Sequence, residues 1–187
     1  MAMRAAKAAA ATLLLAERAV LSVNGNVAAL VPREIVQLGK ELDAPLEVNL
    51  FYRTEERAEK IMEMLLKHGA KKVLIGKSAL LPLRHARAKV HPGGIYSADV
   101  VFVPLEDGDR TEALVKMCKK VIAVDLNPLS RTARAATITI VDNITRALPN
   151  MVKMARGMKV WEKDRLEKIA RGFDNKENLR EVLRWIK

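Results

Sequence analysis

A chain of 187 residues, half of them hydrophobic and 29% charged, with only 9 Gly and 7 Pro, has the make-up of one packed globular domain, not of a disordered or fibrous chain. Its single cysteine, Cys118, excludes an internal disulfide framework and a cysteine-based zinc site, and reads as a small packing residue at the end of a helical pattern. The net charge of +11 is spread along the chain, since residues 151–187 hold 11 Lys and Arg against 6 Asp and Glu; with 4% aromatics and no stacking platform, anionic small substrates explain the surplus as well as nucleic acid does.

The start, MAMRAAKAAAATLLLA, has the cations and small residues of a signal peptide, but its apolar run is short and is interrupted by Glu17 and Arg18. It reads better as an amphipathic, uncapped helix feeding a strand at 19–23. Asn24, Gly25 and Asn26 come after that strand, and Pro32 sits in the first turn of a helix over 33–42. Residues 46–51 are strand-like, and Thr54 caps a charged amphipathic helix ending near His68 and Gly69. A third strand lies at 73–75, and 77–92 is irregular or partly helical, closing on a Pro92-Gly93-Gly94 turn. A fourth strand spans 100–103, Asp109 opens a helix to 119, and strands at 121–124 and 137–141 complete the set. Helices then run over 144–158, with Pro149 marking a break or kink, and over 161–171 and 175–186. This alternation predicts an α/β, Rossmann-like fold: a mostly parallel sheet with helices on both faces and a helical C-terminal tail. The domain would span 1–158 and the tail 159–187, packed on the domain or on a dimer partner. No stretch reaches the length of a membrane span.

Polar residues collect where strands end. In open α/β sheets the carboxyl edge is where ligands bind. Asp125 and Asn127 end the strand at 121–124, Pro128 orders the loop, and Ser130, Arg131 and Thr132 come next; Asp142 and Asn143 end the last strand and open a helix. An Arg, two hydroxyls and a nearby helix N-terminus suit a polyphosphate, so the region reads as a nucleotide site. Asn24-Gly25-Asn26 is a close-approach turn or an ordinary one. Without the three-glycine fingerprint, a dinucleotide role has little support. Arg53, Thr54 and Arg57 form either an anion site or a solvated helix start paired with Glu55, Glu56 and Glu59. Glu106, Asp107 and Asp109 could hold magnesium beside a nucleotide's phosphates, or Asp109 could simply cap its helix. His85 and His91 lack the spacing of a metal site and default to surface or substrate positions.

The strings VDLNPLSRT, TIVDNITRA, SVNGNVAALVP, NLFYRTEER and VFVPLEDGDRTEALV resemble the archaeal 4-phosphopantoate–β-alanine ligases, also called phosphopantothenate synthetases, over about residues 3–156. The resemblance implies a cytoplasmic homodimer in coenzyme A biosynthesis. It would join 4-phosphopantoate to β-alanine with ATP, accompanied by Mg2+, to give 4′-phosphopantothenate, AMP and pyrophosphate. It places ATP contacts on Asp125, Leu126, Asn127, Arg131, Thr132, Asn143 and Ile144, and we assign the phosphopantoate side to Asn24, Gly25, Asn26, Arg53 and Arg57. Family members also carry a segment, with arginines for ATP, before the point where this sequence begins. One glutamine, Gln37, among many charges fits a thermophile. The alternative is a nucleotide-binding regulatory or nucleic-acid-associated module without ligase activity.

Overall fold

The computed structural model describes residues 1–76, 78–83 and 86–186. Helix α1 (Ala2–Leu14) leads into β1 (Ala19–Val23), α2 (Gly25–Leu30), α3 (Pro32–Leu42) and β2 (Leu46–Val48). Next come helix α4 (Glu55–Lys67), β3 (Val73–Ile75) and a small hairpin of β4 (Ala79–Leu80) and β5 (Lys89–Val90). The second half runs β6 (Val100–Pro104), α5 (Gly108–Lys116), β7 (Lys120–Val124), α6 (Arg131–Ala135) and β8 (Ile138–Ile140). It ends in α7 (Ile144–Met158), α8 (Lys163–Arg171) and α9 (Asn175–Ile186).

Six strands form one parallel sheet in the order β3-β2-β1-β6-β7-β8. The chain builds outward from β1 to β3, then returns to lay β6 on the other side of β1. The order reverses between β1 and β6, and such a reversal opens a crevice at the carboxyl edge. Alternation along the strands sorts side chains to two faces. Phe102 and Ile122 join α1, α3, α4 and α7 in the larger core, while Val101, Val103, Val121 and Ala123 join Leu114 of α5 and Ile95 in the smaller one. This is the α/β, Rossmann-like architecture that the alternating pattern predicts.

Helix α1 is buried round most of its circumference, with Ala5, Ala6 and Ala8 to Ala11 at 0–2% exposure. Short alanines let it lie close against α7, α8 and β8, so it behaves as a core element and not as a half-exposed amphipathic helix. Helix α7 runs on through Pro149, which costs one backbone donor within the helix and no break in it. The edge strand β8 is covered by the start of α9. Asn175 accepts from the Thr139 N–H and donates to the Ala133 and Ala136 carbonyls, and Asn178 donates to the Thr139 carbonyl. Those contacts occupy a strand edge that would otherwise invite pairing. Leu166 of α8 is part of the main core.

Three predicted boundaries move. Strand β2 stops at Val48 because the Asn49 amide is drawn under the chain, donating to the Arg87 and Lys89 carbonyls. Helix α5 is capped by Asp107, not by Asp109, with the Asp107 carboxylate accepting from the Arg110 N–H at 2.8 Å. It ends at Lys116 because Cys118 turns left-handed (φ 61°), which no helix continues through. The pair of β4 and β5 lies inside the stretch read as irregular or partly helical, which also holds a short helical turn at Ala86–Ala88. His85 lies outside the described residues. His91 holds its own turn, its Nδ1 accepting from the Gly93 N–H at 3.1 Å.

Candidate active site at the carboxyl edge

At the β1/β6 reversal the crevice is bridged by one side chain. Asn24, 3% exposed, accepts from the Asn26 and Val27 N–H groups and so caps α2. Its amide nitrogen donates to the Pro104 and Leu105 carbonyls at the end of β6. Every strong valence of this amide is spent inside the protein. On the β2 side lies a cavity of about 270 Å³, lined by Asn24, Gly25, Asn26, Leu50, Phe51, Tyr52, Arg57 and Arg87. The Arg57 guanidinium rests directly on Gly25, where an added Cβ would lie 2.7 Å from its Nη2. Arg57 also donates to the Tyr52 carbonyl at 3.1 Å, and Thr54 caps α4 by accepting from the Arg57 N–H.

On the β7 side the loop is ordered by its own polar groups. Asp125 accepts from the Asn127 N–H and from the Ser130 hydroxyl, at 2.5 Å, while Asn127 accepts from the Leu129 N–H. Leu126 stands out at 62% exposure. Ser130 caps α6, and the Thr132 hydroxyl donates to the Glu106 carbonyl at 2.9 Å, which ties this loop to the end of β6. Arg131 is exposed and pairs with Asp109 at 2.7 Å and Glu112 at 3.1 Å, contacts that reinforce its positive charge. Asn143 caps α7, accepting from Thr145, and Ile144 is buried just behind it. Five of the expected nucleotide residues therefore stand exposed or half-buried along the β7 and β8 edge, while Thr132 and Ile144 are buried, at 3% and 2% exposure. Asn24 to Asn26 and Arg57 meet at the cavity, while Arg53 does not line it.

Sequence reasoning missed a buried charge network beneath this edge. Glu106 reaches both the Arg110 and the Arg87 guanidinium, and Arg87 also pairs with Asp107 at 2.5 Å. Arg110, fully buried, donates to the Ser22 hydroxyl of β1 at 3.0 Å. Burial pushes the Arg110 guanidinium down to about 10, with Glu47 and Asp107 opposing that shift. Arg87 is pushed down by burial and by the charge of Arg110. Glu47 of β2 accepts from the His91 and Ile95 N–H groups at 2.9 and 2.7 Å. Arg53, its side chain 6% exposed, pairs with Glu55 at 3.2 Å and supports the charge of Glu47. Asn49 Oδ1, the Nε atoms of Arg53, Arg87 and Arg110, and Arg110 Nη2 are buried without a hydrogen-bond partner among the described residues. Four of these atoms are guanidinium donors and Asn49 Oδ1 is an acceptor, and four unmet donors gathered in one network concentrate positive potential there.

Burial pushes the Glu47 carboxyl above its usual range; its two N–H donors and the nearby Arg110 and Arg53 offset only part of that. A folded-state value above the unfolded one means a contribution to stability that is complete below the unfolded value, about 4.3. It is lost as the pH rises through the folded value. Glu47→Gln removes that loss. The difference in urea midpoint between variant and parent is therefore expected to move in the variant's favour between about pH 4 and about pH 7. A difference that does not vary with pH would show that Glu47 ionises as it does in the unfolded chain.

The carboxylates at the end of β6 do not fit a protein-held magnesium. Glu106 and Asp107 are engaged by guanidiniums and Asp109 by Arg131. No group of three or more His, Cys, Asp or Glu side chains is placed to hold a metal ion among the described residues. A second cleft, of about 480 Å³, opens at the amino edge of the sheet between residues such as Arg18, Pro45, Lys72 and Lys159. It lies at the opposite end of the strands from Asn24 and Asp125. Among the described residues no helix is long and apolar enough to cross a membrane.

Fold and edge together define a Rossmann-like α/β protein with arginines and capped helix N-termini gathered at its carboxyl edge. A family model described as phosphopantothenate/pantothenate synthetase matches residues 1–187, the helical tail included. The chain is 57% identical, over 98% of its length, to a 4-phosphopantoate–beta-alanine ligase of Thermococcus kodakarensis, of which it covers 72%. It is 55% identical over 97% of its length to the enzyme of that name from Methanosarcina mazei, again covering 72%. The corresponding protein of Methanospirillum hungatei is 46% identical, with 75% of it covered. The chain belongs to the phosphopantothenate/pantothenate synthetase family.

Proposed function

We propose that this protein is a cytoplasmic ATP-dependent ligase that joins 4-phosphopantoate to β-alanine, giving 4′-phosphopantothenate, AMP and pyrophosphate. The observation that carries the reading is the pair of sites flanking Asn24. A cavity with two guanidiniums lies on one side, and a loop of carboxylate, amide, hydroxyl and guanidinium groups lies on the other. Membership of the family and the names of the relatives support it over a binding module without catalysis.

In this reading the carboxylate of the acid substrate attacks the α-phosphorus of ATP, forming the acyl adenylate and releasing pyrophosphate. The β-alanine amine then attacks the acyl carbon and AMP leaves. Little covalent help is required; reactants must be held in line, and donors must sit where negative charge develops. Asp125 and Asn127 would hold the adenosine, Arg131 and Thr132 the phosphates, and Asn143 with Ile144 the helix N-terminus beside them. Magnesium would arrive with the ATP phosphates. The phosphopantoate side falls to the cavity at Asn24, Gly25, Asn26 and Arg57, and not to Arg53, which does not line it. Pyrophosphate release that requires both 4-phosphopantoate and β-alanine is the test. Release that needs neither, or none with both present, refutes the ligase.

Arg131→Ala should weaken ATP binding by about ten- to a hundredfold, the worth of a charge-assisted hydrogen bond, with the fold intact because the side chain is exposed. Its present contacts run through Nε and Nη2, and a guanidinium has five donors, so a phosphate can be added to them. Unchanged nucleotide affinity would remove Arg131 from the site.

The reading includes a homodimer. Leu166 and Leu179 of the tail are buried in their own chain, and the Trp161 ring meets Arg165 at 3.6 Å and Lys7 at 5.4 Å, so these residues pack at home. Trp185, Ile186 and Val160 are 81%, 67% and 85% exposed and supply apolar surface for a second copy. Light scattering at micromolar concentration should give twice the 20.8 kDa chain mass; a monomer mass overturns the dimer.

A further inference from the structure

We infer that Arg87, with Arg57 facing it, binds the phosphomonoester dianion of the acid substrate in the cavity beside Asn24, and that Glu106 positions Arg87 for this task. The inference rests on the ligase reading and sharpens it, because Arg87 takes the place that the sequence suggested for Arg53. Arg53 is absent from the cavity wall, and its guanidinium is buried on the Glu47 side. Arg87 is on the wall, 8% exposed, and its Nε is buried and unpartnered among the described residues. Its remaining geometry is fixed from three directions. Glu106 and Asp107 hold Nη1, and the Phe51 ring lies 5.6 Å from the guanidinium carbon.

The composition of the cavity selects the ligand's charge. Among the described residues that line it, two are guanidiniums, two are asparagines and none is acidic. The carboxylates that balance Arg87, Glu106 and Asp107, are not among the described residues that line the cavity. Arg57 lies over Gly25, where only a residue without Cβ lets the guanidinium come so close to the backbone. Two planar forks across about 270 Å³ suit a small tetrahedral dianion and its short chain better than a triphosphate. A singly charged carboxylate would leave one fork unanswered.

The binding of 4-phosphopantoate, pantoate and ATP to the full chain should be measured by calorimetry, with Arg87→Met, Arg87→Lys and Arg57→Met as variants. The parent is expected to prefer 4-phosphopantoate to pantoate. Each variant should lose about ten- to a hundredfold in 4-phosphopantoate affinity while its pantoate and ATP affinities stay within about threefold. Arg87→Lys keeps a charge opposite Glu106 and Asp107, and so serves if Arg87→Met does not fold. A folded Arg87→Lys that retains the parent's preference overturns the inference, as does a matching loss for ATP, which would make this the triphosphate site. If the preference is present and arginine-dependent but pyrophosphate release fails, the ligase reading falls and the dianion site stands. If turnover is normal and the preference is absent, the site falls alone.

Discussion

Glu106→Ala is expected to destabilise the fold by about 3–5 kcal/mol, because it strands Arg110, and in part Arg87, as buried cations without their carboxylate. The Glu106 side chain is 1% exposed and sits between the two guanidiniums, so water cannot simply replace it. Arg87 keeps Asp107 at 2.5 Å; Arg110 keeps the Ser22 hydroxyl and the more distant charge of Glu47. Most of the cost therefore falls on Arg110. A double change, Glu106→Leu with Arg110→Met, should recover much of the loss, since a buried pair replaced by apolar groups of similar volume is often neutral. Urea midpoints of the three proteins decide the matter. A cost below about 1 kcal/mol for Glu106→Ala, the range of an exposed pair, would mean that the network is hydrated.

That network also marks the limit of what the sequence displayed. Strand positions were legible because apolar runs such as 100–103 and 121–124 stand between polar strand ends, and the helix caps Thr54 and Asn143 announced themselves by type and place. The predicted nucleotide residues fall on one edge because parallel strands must deliver their carboxyl ends together. Glu47 escaped notice because it sits in an apolar strand and only the pleat turns it from the face of Leu46 and Val48. The spacing of Glu106 and Arg110, four residues apart across a helix start, was a usable signal left unread. Arg87 had none: it lies in a stretch without periodicity, and its partners are 19 and 20 residues away. Asp107 displaced Asp109 as the cap because a cap must precede the first helical residue, and Gly108 already belongs to the helix. Cys118 ended that helix through a backbone angle that no side-chain pattern encodes.

Asn24→Ala is expected to cost about 2–4 kcal/mol, from a lost helix cap together with two carbonyls deprived of their donor at the end of β6. The comparison that separates the two contributions is Asn24→Asp. A carboxylate can still accept from the Asn26 and Val27 N–H groups, and aspartate is as good a cap as asparagine. It cannot donate to Pro104 and Leu105, and it sets a negative charge against two carbonyl oxygens in a buried place. If capping were the role of this residue, Asn24→Asp would match the parent; we expect it to be at least as unstable as Asn24→Ala. Catalysis should respond as well, because Asn24 fixes the end of β1, with the cavity beside it, to the end of β6, to which Thr132 ties the β7 loop. In the proposed reaction, acyl-adenylate formation needs the carboxylate from one side placed in line with the α-phosphorus from the other, and a displacement of about 1 Å can cost about a hundredfold. In a variant still folded at the assay temperature, kcat should fall by more than the KM for either substrate rises. An unchanged kcat would show that the two sites are held in register by something other than this amide.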